Sequence, residues 1–152
     1  MLLAAFAGSA LVTAKRYTLG FSAIAFSAVL NVLQVGVGLT QFGPFREAAT
    51  ANADLGGVAF SVVAFSFFGY NAAKILLGLA AVVIGLSKMA SGSKALGGVT
   101  VLVGVVAFLA NTVVMMFGIR NGFIPRPLAG GSGVLATLLL ALCLFTVSRE
   151  DA

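Results

Sequence analysis

Long apolar stretches alternate with short polar connections along the chain. A helix needs about 20 apolar residues to cross the hydrocarbon of a bilayer, and Leu19 to Leu39, Gly57 to Leu86, Leu96 to Gly118 and Leu128 to Val147 all reach that length. After the first comes TQFGPFREAATANAD, where Gly43-Pro44 is expected to break the helix and Asp54 to cap the next one. Ser91 to Ser93, between Lys88 and Lys94, reads as a tight turn into the third stretch. The segment Ile119 to Pro127, with Pro125 and Pro127, turns the chain into the fourth. The fold class this predicts is an all-α membrane protein, a single domain built as a four-helix transmembrane bundle.

The opening MLLAAFAGSALVTA is apolar but reaches only about 21 Å as a helix, too short to cross. Val12-Thr13-Ala14 resembles a signal-peptidase site, yet the basic segment that starts a signal peptide is missing. A short N-terminal helix lying at the interface is therefore expected, with Lys15, Arg16 and Tyr17 at headgroup level.

Small and polar residues recur every seven positions within the apolar stretches. Gly57, Ala64, Asn71, Gly78 and Gly85 mark the second, and Gly97, Gly104, Asn111 and Gly118 the third. Gly20, Ser27, Gln34 and Gln41 mark the first, whereas Ala129, Ala136 and Cys143 continue the pattern weakly in the fourth. A strict seven-residue stripe keeps facing a partner only when helices wrap left-handed around each other. In lipid that stripe favours small residues, because close backbone approach supplies the dispersion contacts. Gly57, Gly78, Gly85, Gly97 and Gly104 are thus expected at helix-to-helix faces. The phase of the repeat holds across Gly69-Tyr70, which predicts one continuous helix there.

Composition agrees with a membrane location. The chain is 61% hydrophobic and 9% charged, against roughly 45–50% and 25% in a soluble domain. Its net charge of +5 comes from Lys and Arg scattered among the connections, which argues against nucleic acid and for topology signals. Five of them (Lys15, Arg16, Lys88, Lys94, Arg149) fall on the side of the termini and three (Arg46, Arg120, Arg126) on the other. The excess places both termini in the cytoplasm or its equivalent. Cys143 is the single cysteine, so one chain forms no disulfide.

The chain has no His, and Glu47, Asp54, Glu150 and Asp151 all lie outside the apolar stretches. His-ligated haem or metal, Ser-His and Cys-His nucleophiles, and carboxylate proton relays are thereby excluded within it. Neither enzyme activity nor a cofactor is expected. What remains is an intramembrane polar set: Asn31, Gln34, Tyr70, Asn71, Lys74 and Asn111. The four amides lie at similar depths and are expected to meet. Lys74 is expected either to snorkel toward the headgroups on the side of the termini or to border an anion supplied from outside the chain. The leading functional expectation is a non-catalytic membrane subunit, packing with other membrane proteins or with copies of itself. A small transporter or channel, and a pigment- or quinone-contacting subunit, are the alternatives.

Overall fold

The computed structural model describes residues 17–118 and 123–150, and the expected N-terminal interfacial helix lies outside them. The described chain is helical throughout: α1 (Thr18–Ala51), a 3-10 turn (Ala53–Leu55), α2 (Gly56–Ala90), α3 (Lys94–Phe117) and α4 (Arg126–Glu150). All four long helices are long and apolar enough to cross a membrane.

The connection between α2 and α3 shows why the sequence turns there. Gly92 has φ +102°, a conformation glycine adopts without a Cβ penalty. Ser93 N–H donates to Lys88 O and Gly92 N–H to Met89 O, the pair of bonds that closes a helix in a Schellman motif. α3 then starts two residues later and runs back antiparallel along α2.

Two boundaries differ from the sequence expectation. α1 does not stop before Gly43-Pro44 but carries Pro44 inside it and ends at Ala51. Proline removes one helical hydrogen bond, yet Phe42, Phe45 and Ala49 beyond Leu39 still line a groove shared with Ala59, Phe60 and Val63 of α2. Tertiary contact outweighs a local breaker. The cap at the α1–α2 turn is made by Asn52, whose side chain accepts from Asp54 N–H at 3.0 Å, and not by Asp54. α2 itself runs unbroken through Gly69 and Tyr70.

The core is built on close approach of α2 and α3. A methyl group added at Gly97 would lie 2.6 Å from Gly85 O, and one at Gly78 would lie 2.8 Å from Gly104 O. Backbone therefore touches backbone at two levels seven residues apart. Gly57 is different: it is exposed, with nothing within 4 Å of an added Cβ. The contact stops short of it because α2, with 35 residues against 24 in α3, is longer by about 16 Å at ~1.5 Å per residue. α1 and α4 pack around the α2–α3 pair, and Phe21, Ile24, Leu77, Ile84, Leu140 and Cys143 make the largest buried cluster. Every buried α2 residue lies between Ser66 and Lys88, so the core lies toward the α2–α3 turn and leaves the first ten residues of α2 outside it.

Gly97→Ala should lower stability by about 1–3 kcal/mol through overpacking against backbone. Gly98→Ala, with open space around an added Cβ, should be neutral or stabilising by up to ~1 kcal/mol. Denaturation of the detergent-solubilised protein measures both, and equal effects at the two neighbours would refute the close-contact account.

Candidate functional site

Hydrophobic helices leave their polar side chains few partners, and most of them here bond the carbonyl one turn back. Asn31 Nδ2 donates to Ser27 O at 3.0 Å, and Asn71 Nδ2 to Phe67 O at 2.7 Å. Asn111 Nδ2 donates to Ala107 O at 2.8 Å and also reaches across to Ala129 O in α4, at 3.2 Å. Gln34 makes the longer link: its Nε2 donates to Ser66 Oγ at 3.2 Å, joining α1 to α2.

The hydrogen bonds of the four amides, which the sequence places at similar depths, go to other partners. Among the described residues no hydrogen bond joins two of them. Local carbonyls compete for each amide N–H, and they are always within reach on the same helix. Seven residues beyond the Gly78–Gly104 level, Asn71 and Asn111 occupy matching positions on α2 and α3, yet Asn71 turns its N–H to its own helix and Asn111 divides its two between its own helix and α4. The consequence is a surplus of acceptors. Asn111 Oδ1 is fully buried and has no partner among the described residues.

Lys74 projects from α2 toward α4. Its stem lies in a notch at Gly133, where an added Cβ would sit 2.8 Å from Lys74 Cδ. The ammonium lies 5.4 Å from the centroid of the Tyr70 ring, a cation–π contact. No ion pair to Lys74 is present among the described residues. Tyr70 is one turn nearer the α1–α2 connection, so Lys74 points away from the side of the termini, opposite to the expected snorkelling direction. The cause is elementary geometry: side chains on a helix lean toward its N-terminus, and the N-terminus of α2 is at that connection.

Several contributors escaped the sequence reading. Ser66, 2% exposed, is the partner of Gln34, and Thr100 Oγ1 lies 3.3 Å from Cys143 Sγ in a buried contact between α3 and α4. Lys88, read as a loop residue, is 2% exposed within α2. Gly133 had a visible signal in the GGSG run at the start of α4, but nothing in one dimension pairs it with Lys74. Among the described residues no group of His, Cys, Asp or Glu side chains could hold a metal ion. No family model, curated protein or solved structure matches the chain.

A double-mutant cycle on Gln34→Leu and Ser66→Ala should return a coupling of about 0.6 kcal/mol, the mean for interhelical hydrogen bonds in membranes. Asn31→Leu combined with Asn111→Leu should be additive within ~0.5 kcal/mol. The reverse pattern would restore the amide cluster.

Proposed function

We propose that the chain is a non-catalytic subunit of a membrane assembly. On this reading the helices cross the bilayer with a left-handed wrap, both termini lie on the cytoplasmic or equivalent side, and the region around Lys74 docks another membrane protein. The observation that carries it is the environment of Lys74. Insertion scales put the cost of a central lysine at ~2.5–3.5 kcal/mol, and a cation–π contact to Tyr70 returns only about 0.5–2 kcal/mol of it. A counter-charge from outside the chain supplies the difference.

The same bookkeeping separates two kinds of partner. All four acidic residues lie outside the apolar stretches, so a second copy brings no carboxylate to the depth of Lys74. A different protein with an Asp or Glu in its span is the better fit. Abundant exposed side chains on α1, among them Phe26, Leu33 and Leu39, suit either lipid or a helix of that partner.

Lys74→Met keeps most of the stem that fills the Gly133 notch and removes the charge. Recovery of partner proteins in mild detergent should fall at least ten-fold, while the thermal stability of the isolated chain changes little. Unchanged recovery would overturn the subunit reading, as would a wild-type chain that purifies alone and moves a solute into liposomes. The latter result would establish the transporter alternative.

A further inference from the structure

Past the level of Asn71 and Asn111 the close contact of α2 and α3 ends, and a groove of about 460 Å³ opens between them. Phe60, Ala64, Phe67 and Asn71 of α2 and Val114 and Met115 of α3 line it. Its volume falls in the roughly 300–1,000 Å³ range of small-molecule sites. Asn71 is the one residue with a polar side chain in that lining, beside mostly apolar side chains and the backbone of Gly118. Asn71 is 4% exposed, its Nδ2 is committed to Phe67 O, and nothing among the described residues donates to its Oδ1. A buried asparagine thus borders the groove with its amide oxygen unpartnered among the described residues and not sealed from it.

Depth narrows what could supply the missing donor. Asn71 stands at the centre of the apolar stretch Gly57 to Leu86, which on the membrane-spanning reading is the bilayer midplane. Charged headgroups are excluded there by their desolvation cost. A neutral hydroxyl on a long apolar chain is not. The groove also lies on the opposite side of the Asn71 level from the Gly133 notch, so it can be tested separately from Lys74.

We propose that this groove binds a neutral long-chain lipophile with a hydroxyl head, of the isoprenoid alcohol or quinol class. The head donates its O–H to Asn71 Oδ1, and the tail runs along Phe67 and Phe60 toward the α1–α2 connection. No proton or electron is transferred; the contact is a binding contact only. Ala64, the small residue at the seam position beyond Asn71, leaves room for the tail where a larger side chain would fill the groove.

The test uses the full chain in phosphatidylcholine nanodiscs with radiolabelled dodecylhydroquinone as the probe. Saturable binding of one probe per chain is expected, and the dimethyl ether of the same probe, which lacks the donor, should bind roughly three- to ten-fold more weakly. Asn71→Leu should abolish the difference between probe and ether, and Ala64→Phe, at an exposed position, should block both. Competition by farnesol as strong as that of unlabelled dodecylhydroquinone would identify the prenol source, and its failure the quinol source; either supports the class. Non-saturable partition, or equal binding of probe and ether to the wild type, would overturn the proposal. So would efficient cross-linking between Ala64→Cys chains in native membranes, since the groove would then belong to a second copy.

Discussion

Backbone contact between α2 and α3 is the constraint on which the rest of the structure depends. Gly78, Gly85, Gly97 and Gly104 leave no room for a methyl group between the two helices. In water such a contact would be secondary to burying large apolar side chains; if these helices span a bilayer, as their length and apolarity allow, that burial gains little, because lipid tails are as apolar as leucine. Dispersion between closely spaced atoms is what remains, and glycine provides the closest spacing. Once the α2–α3 hairpin is fixed, it presents Ala80 and Ile84 to α1 and Ala81 and Ala107 to α4. The outer helices then pack on a surface whose shape is already set.

Polar groups add little to this specification. Thr100, Thr112, Thr137, Asn31 and Asn71 each bond a carbonyl four residues earlier, an option equally open to each helix before the bundle assembles. A bond available in both states contributes nothing to the difference between them. Links that cross helices do discriminate, among them Gln34 with Ser66, Asn111 with Ala129 O, and Thr100 with Cys143. These tie α1 to α2 and α4 to α3, the two packings that the glycine contact does not itself determine.

The periodicity of small residues made the helices and the packing face of α2 and α3 readable in one dimension, because a glycine contact repeated every seven residues leaves its period in the sequence. Gly57 shows the limit of that signal. It keeps the phase of the repeat but lies beyond the end of α3, and relative helix length is a property of the pair, invisible in either stretch alone. Pro44 misled for a related reason, since its helix-breaking tendency is local whereas the groove residues around it are supplied by α2. The hydrogen-bond partners of the four amides were not legible in the sequence. Depth carries no information on which way an amide turns: Asn31 and Asn71 bond their own helix, Gln34 reaches a hydroxyl on α2 and Asn111 also reaches α4. The direction of Lys74 was legible in principle, from the N-terminal lean of helical side chains.

Unequal helix length also explains why both unusual polar groups fall near the middle of α2. Toward the α2–α3 turn, α1 and α4 cover α2 and the core is sealed by alanine, with glycine at the α2–α3 contact. Toward the α1–α2 connection, α2 outruns α3 and presents Phe60, Phe65 and Phe68 to its surroundings. Asn71 and Lys74 sit where one regime gives way to the other: Asn71 on the side facing α3, Lys74 on the side facing α4. A polar side chain deeper in the sealed half would have to be satisfied by the bundle itself, as Thr100 is by Leu96 O. One further out would be solvated with the polar tip of the hairpin. Only at the transition can a side chain be largely removed from water and still be reached by a group from outside the chain, and both the docking and the ligand proposals follow from that position.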